Sequence, residues 1–314
     1  MRCRIRCGTR RWYLGEKGMS YRVTVALLMC LCCGALGCYE IDQEFTVNPN
    51  GSGKVTVDAK LIFPVAPAKP GEDRRSTAQR AVSTLLAGSS GVTAWQDIRF
   101  ARLDAHRIHF AGTAYFDDVS KLEMMEIQAF IITWAQAPAA CRQLSLDFSR
   151  EIGGPKPIRL AEEEIQKRVL KQQSGYTRNK IAMSSIGKGR VRLTFRLPGK
   201  VKHATNLKVV SDDALCLSFK TSQLWRAMDK LIRDEAWVRR QILAGYDLSE
   251  HIPARDPTLR AEVLGDRGPV TVVVGGELEP LFDYEAEVEQ AKKEFPAMIK
   301  RLGLEMPSAP VHGT

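Results

Sequence analysis

Between Ile41 and Phe63 the chain alternates apolar and polar residues on both sides of one short turn, and this pattern constrains the fold most. Ile41, Phe45 and Val47 alternate with Asp42, Glu44 and Thr46, and Val55, Val57, Ala59, Leu61 and Phe63 answer with Thr56, Asp58 and Lys60. A period of two belongs to a strand with one buried face. Asn48-Pro-Asn-Gly-Ser-Gly53 between the two runs supplies residues that tolerate tight-turn backbone angles. Two such strands form an antiparallel hairpin whose apolar side needs a cover.

The pieces that follow supply covers and further strands. A proline-spaced loop (Pro64, Pro67, Pro70) leads to a helix starting near Asp73, with Ala78, Val82, Leu85 and Leu86 as its apolar stripe and Gly88 as its stop. Strands are expected with Val92, Ala94, Ile98 and Phe100 on one face, then with Ile108, Phe110, Ala114 and Phe116, then over 128–134 and 144–148. A charged helix follows Glu162-Glu163-Glu164, with Ile165, Val169 and Leu170 on its apolar side. Val191, Leu193, Phe195 and Leu197 form a one-faced strand, and Leu215, Leu217 and Phe219 its expected partner. One long helix is predicted from Ser222 to Ala244, a short apolar strand at Val270–Val274, and a last helix from Tyr284 to Leu302, bent or broken at Pro296. The expected class is α+β, a mostly antiparallel sheet with helices packed on one face. We divide the chain into residues 1–38, a sheet domain over 39–245, and a C-terminal strand and helix segment over 246–314.

The first division rests on an apolar run of fifteen residues, Val23 to Gly37, preceded by Arg22 and ended by Cys38. A positive flank, an apolar stretch and small residues at its end describe a secretory signal peptide. A spanning helix needs about 20 apolar residues, so the run is short for a membrane anchor. Ala35-Leu36-Gly37-Cys38 resembles the bacterial lipobox, although Leu usually stands where Ala35 does. Lipidation of Cys38 is therefore expected, with ordinary signal cleavage as the alternative. A start at Met19 gives a signal of ordinary length, and translation is expected to begin there.

Charge and cysteine counts follow the same division. Of the formal +10, residues 1–38 hold seven basic residues and one acid, leaving 39 basic and 35 acidic residues and a net of +4 beyond them. Nucleic-acid binding needs clustered positive charge in the mature chain, so no nucleic-acid partner is expected. Six of the eight cysteines fall in the first 38 residues, which rules out a disulfide framework in the body.

No catalytic constellation stands out. Asn50-Gly-Ser-Gly-Lys54 lacks the leading glycine and the following Ser or Thr of a phosphate loop, and it joins two strands. Gly88-Ser-Ser-Gly91 is one residue short of a nucleophile elbow and follows a helix. His106 and His109 are expected on opposite faces, and His203, His251 and His312 are isolated. Asp117-Asp118 and Asp212-Asp213 sit at strand ends, where carboxylates favour turns. We expect no enzyme activity, no metal and no cofactor.

Two features remain. Cys141 and Cys216 both fall on the polar side of their strands, so they are expected either to bridge or to stay as half-buried thiols. Arg190, Arg192 and Arg196 share one strand face, with Lys200, Lys202 and Lys208 nearby, which is either a basic surface for anionic headgroups or a solvated sheet face.

The order of the pieces resembles the LppM-like domain of bacterial lipoproteins. The corresponding stretches are Phe45 to Val57, Gly91-Val92, Tyr115-Phe-Asp-Asp-Val119 and Phe195-Arg-Leu-Pro-Gly199, within residues 38 to about 220. The resemblance implies an envelope-facing α+β domain with no known catalytic residues. The expected role is a lipid-anchored envelope protein that holds an unknown envelope protein or amphiphilic ligand without catalysis. The alternative is a structural lipoprotein that scaffolds envelope components through its C-terminal helices.

Overall fold

The structure is a computed structural model of the chain. It describes residues 38–62, 74–104, 107–124, 130–147, 157–184, 189–248, 253, 256–266 and 268–304.

The hairpin predicted at the start becomes the centre of a seven-stranded sheet. Strands β1 (Cys38–Val47) and β2 (Gly53–Ile62) pair antiparallel, with Phe45 opposite Val55 and Gln43 opposite Val57. In spatial order the sheet runs β11 (Lys208–Val209), β12 (Ala214–Lys220), β9 (Arg190–Arg196), β1, β2, β5 (Arg107–Phe116) and β4 (Ala94–Arg102). All its pairings are antiparallel except β1 with β9, whose Phe45 and Phe195 lie opposite each other and stack at 5.0 Å between centroids.

A second sheet of four strands has the order β10 (Lys200–Thr205), β13 (Val270–Gly275), β8 (Cys141–Asp147) and β7 (Ile131–Ala137). A two-stranded ribbon pairs β3 (Ser89–Ser90) with β6 (Glu123–Met124). The chain is thus α+β and mostly antiparallel.

The inner face of the large sheet is covered by more than helices. Val55, Val57, Phe110, Phe116, Leu193 and Phe195 share one core with Ile132, Leu144, Leu146, Val270, Val272 and Val274 of the second sheet. Helix α1 (Arg74–Ala87) adds Ala78, Val82, Leu85 and Leu86, the stripe read from sequence. The valine-rich β13 lies between β10 and β8, where a strand is flanked by hydrogen-bonded neighbours on both edges.

Four further helices form a second core of their own. They are α2 (Glu162–Ser184), α3 (Thr221–Leu231), α4 (Glu235–Leu243) and α5 (Pro257–Leu264). Ile165, Val169, Tyr176, Met228, Leu231, Trp237, Val238, Ile242, Leu248 and Leu259 cluster there, with Trp237 fully buried. Leu248 and Leu259 join Trp237, whereas β13 belongs to the second sheet.

Several local expectations change for physical reasons. Leu170 is 64% exposed, and the inward positions of α2 are Ile165, Val169, Gln172 and Tyr176, which follow helical spacing. The helix predicted over 222–244 is two helices, because Asp234 accepts a bond from the Trp237 backbone N–H and opens α4. In β4 a bulge between Gln96 and Arg99, with Asp97 at φ 54°, turns Ala94 outward while Trp95 and Ile98 face the core. Helix α6 (Tyr284–Leu302) continues through Pro296 as one element.

Helix α6 packs along β4, an edge strand of the large sheet. Val288 and Ala291 meet Ala94 and Tyr115 on the outer face, whereas Met298 reaches the main core and its sulfur accepts from the Ile98 backbone N–H at 3.3 Å. Covering an edge in this way removes a template for strand addition.

Candidate functional site

Cys38 is the first residue of β1 and pairs opposite Leu61, so the expected lipidation position opens directly into the sheet. The apolar run before it, through Gly37, lies outside the described residues. Among the described residues no helix is long and apolar enough to cross a membrane.

The strand ends around Cys38 are rich in basic residues. Glu40 lies opposite both Lys60 and Arg190, and Arg190 lies opposite Lys220. Arg107 lies opposite Ile62, and Arg102 opposite Ile108, at the same end of the sheet. Lys60 pairs with Glu40 at 2.6 Å, and Arg107 with Asp104 at 2.5 Å.

Arg190, Arg192 and Arg196 lie along β9 beside β1, its parallel neighbour. Arg192 faces Asp42 at 3.8 Å and Arg196 faces Glu44 at 2.5 Å. The Glu44 hydrogen bond and charge hold the Arg196 guanidinium further above its ordinary range. Of the three arginines, Arg190 alone lies at the Cys38 end of the strand. Lys200, Lys202 and Lys208 are exposed on β10 and β11, away from that end.

The cysteines expected to share a face lie in different sheets. Cys141 opens β8 in the second sheet and Cys216 lies within β12 of the first, and both are free and half-buried. A disulfide needs the two Cα atoms within about 7 Å, which requires neighbouring strands or facing positions. Their shared polar parity says nothing about which sheet each strand joins.

Three of the four paired carboxylates and both described histidines have hydrogen-bond partners. Asp117 accepts from the Tyr284 hydroxyl at 2.5 Å, and Asp118 caps a short 3-10 turn through the Ser120 backbone N–H. Asp213 accepts from Ser211. His109 bonds Asp58 at 2.9 Å and His203 bonds Thr205. His106, His251 and His312 lie outside the described residues. Among the described residues no group of three or more His, Cys, Asp or Glu is placed to hold a metal ion.

Two arrangements escaped the sequence. The first is a polar clasp between α6 and the outer face of the sheet. The Lys54 ammonium reaches Glu287 at 2.7 Å and lies 4.2 Å from the centroid of the Phe282 ring. The Tyr115 hydroxyl is within hydrogen-bonding distance of Gln96 (2.7 Å) and Glu287 (2.9 Å). Burial, and then the Glu287 hydrogen bond, push the Tyr115 pKa upward; burial and Asp117 do the same for Tyr284. Asn48 accepts from the Leu281 backbone N–H, which pins the start of the segment.

The second is Gln43. It is fully buried on the inner face, and neither its amide nitrogen nor its amide oxygen has a hydrogen-bond partner among the described residues. Period-two alternation from Ile41 to Phe45 puts residue 43 on the inner face, where its amide is the polar exception in an apolar row.

These features define a class: an α+β protein with two sheets over one core, a helical unit with a second core, and an N-terminal strand that begins at a candidate lipidation cysteine. No protein-family model and no curated protein matches the chain. Among solved structures, the chain bears a loose resemblance to the NMR structure of the folded domain of the Mycobacterium tuberculosis LppM protein. The identity is 8% and the TM-score 0.26, over 59% of this chain and 82% of that one.

Proposed function

We propose that this chain is a lipid-anchored protein of the cell envelope whose two-sheet body holds an amphiphile or a protein partner without catalysing a reaction. The observation that carries the reading is Cys38, which ends an apolar run of fifteen residues and begins β1. A chain exported and acylated there is held at a membrane surface, where its body meets other envelope components.

The local engagement of Asp117, Asp118 and Asp213 supports a non-catalytic role. Gln43 favours the amphiphile over the protein partner. An amide buried between apolar sheets without a partner costs about 1–3 kcal/mol, and the polar group of a ligand held there would recover it. The scaffolding alternative relies on the C-terminal helices, but α6 commits Val288, Ala291 and Glu287 to the sheet.

The test is native mass spectrometry of the purified full chain, with the intact mass read first. A diacyl addition on Cys38 supports the anchor, and a further mass lost on denaturation supports the amphiphile. An acylated chain with no further mass points to protein partners, to be sought by cross-linking in its own membrane.

A further inference from the structure

We propose that the protein sits directly on an anionic phospholipid surface, contacting it through the basic rim of Lys60, Arg102, Arg107, Arg190 and Lys220. This rests on the reading that Cys38 is lipidated. Because β1 starts at Cys38 with no intervening spacer, an acyl chain on that residue would bring the end of the large sheet to the headgroups. Glu40 lies two residues further along, roughly 7 Å at the rise of an extended strand. That is about one Debye length at physiological salt, so charges in this row act on the surface.

The strand directions decide which charges gather there. β2, β4 and β12 end at the Cys38 end, while β5 and β9 begin there. Among the described residues the rim therefore collects five basic residues against two acids, Glu40 and Asp104. Glu40 is bridged to Lys60 and Asp104 to Arg107, and neither Arg190 nor Lys220 has an acidic partner among the described residues. At the opposite end, Asp117 and Asp118 after β5 and Asp212 and Asp213 before β12 are set against Lys54, Lys121 and Arg196, so the described residues there carry no basic excess. This polarity orients the sheet with its basic end toward a negative surface. Leu103, 45% exposed beside Arg102, adds an apolar tip at the same end.

The sequence had pointed to Arg190, Arg192 and Arg196 along one strand. The structure instead gathers charge across strand ends, because Asp42 and Glu44 neutralise the other two arginines. Each Lys or Arg at an anionic surface contributes about fivefold to its affinity.

The experiment uses the full lipidated chain reconstituted in phosphatidylcholine vesicles with and without phosphatidylglycerol, with lysine acetylation rates read by mass spectrometry. Lys60 and Lys220 are expected to react about fivefold or more slowly with phosphatidylglycerol present, whereas exposed Lys200 and Lys208 keep their rates. The Arg102→Glu/Arg190→Glu variant is expected to lose that protection, and an unchanged circular dichroism spectrum and unfolding midpoint show that it remains folded. An acylated chain in which Lys60 and Lys220 react at the same rate in both vesicles overturns the rim and leaves the anchor standing. A chain without an acyl mass on Cys38 overturns both.

Discussion

Lys54 of β2 and Glu287 of α6, 233 positions apart in the chain, meet at 2.7 Å on the outer face of the large sheet. The Tyr115 hydroxyl reaches the same carboxylate oxygen, and the Phe282 ring lies under the Lys54 ammonium. Glu287 thus joins the last helix to the first hairpin and to β5. Replacing it by Ala leaves a half-buried ammonium and a buried hydroxyl short of a partner. The expected loss is about 1–3 kcal/mol of stability, measured by denaturant unfolding. A Lys54/Glu287 double-mutant cycle should give a coupling of about 0.5–1 kcal/mol, since both groups are partly exposed. Zero coupling would show that the pair is incidental to docking of α6.

Asp256 does comparable work in the helical unit. It accepts from the Trp237 indole at 3.1 Å, the Gln241 amide at 2.8 Å and the Leu259 backbone N–H at 2.9 Å. Asp256→Ala removes a helix cap and strands two buried donors, at an expected cost of about 2–4 kcal/mol. Because the unit has its own core, Trp237 fluorescence should report the loss before the sheet unfolds. A single coincident transition, unshifted by the substitution, would contradict the assignment.

Gln43→Leu separates the two readings of the sheet core. If nothing polar occupies that place, the substitution is expected to stabilise the chain by about 1–3 kcal/mol, as an unpaired buried amide is replaced by hydrocarbon of similar size. If an amphiphile is held there, the same variant should lose the bound mass in native mass spectrometry. Lower stability with no change in bound mass would mean that Gln43 has an unrecognised structural partner.

The turn between β7 and β8 stores local strain. Ala139 and Ala140 both take positive φ, 59° and 56°, between Pro138 and Cys141. An L residue with a Cβ pays roughly 1–2 kcal/mol in that region, and Asn-Gly is the pair this turn prefers. Ala139→Asn with Ala140→Gly should raise the thermal midpoint through a gain of about 1 kcal/mol or more. A lower midpoint would show that the alanines make contacts outweighing the strain.

Alkaline pH should unfold the chain through its tyrosines. Burial raises the pKa of Tyr115, Tyr176 and Tyr284, reinforced by Glu287, Asp229 and Asp117 respectively. A group whose folded pKa lies above its unfolded value contributes its full stability below the unfolded pKa, near 10 for tyrosine. That contribution is lost as pH rises through the folded value, so stability should fall steadily above about pH 10. Phenolate absorbance should lag behind that of the denatured chain and then rise together with loss of circular dichroism. Free titration of all three residues in the folded state would contradict their burial.

Much of the element-level fold was legible because periodicity reports which side of an element is apolar. Val55 to Leu61, the stripe Ala78–Val82–Leu85–Leu86 of α1 and the span of α6 all followed that signal. Leu170 and the bulge at Asp97 did not, because a single apolar side chain or one extra residue shifts the face without altering composition. The candidate site was legible only at Cys38, whose signal lies in the contiguous run that precedes it.

The sequence by itself determined the strand at 41–47, its turn and its partner, along with the α+β class, because these depend on neighbours close in the chain. Only the tertiary structure decided that β9 lies parallel to β1, so that Asp42 and Glu44 neutralise Arg192 and Arg196. It alone put Cys141 and Cys216 in separate sheets, Leu248 with Trp237, and five basic residues at the strand ends on the Cys38 side of the large sheet. The reason is physical: an apolar face specifies that it must be buried, but which distant face buries it is set by the packing of the whole chain.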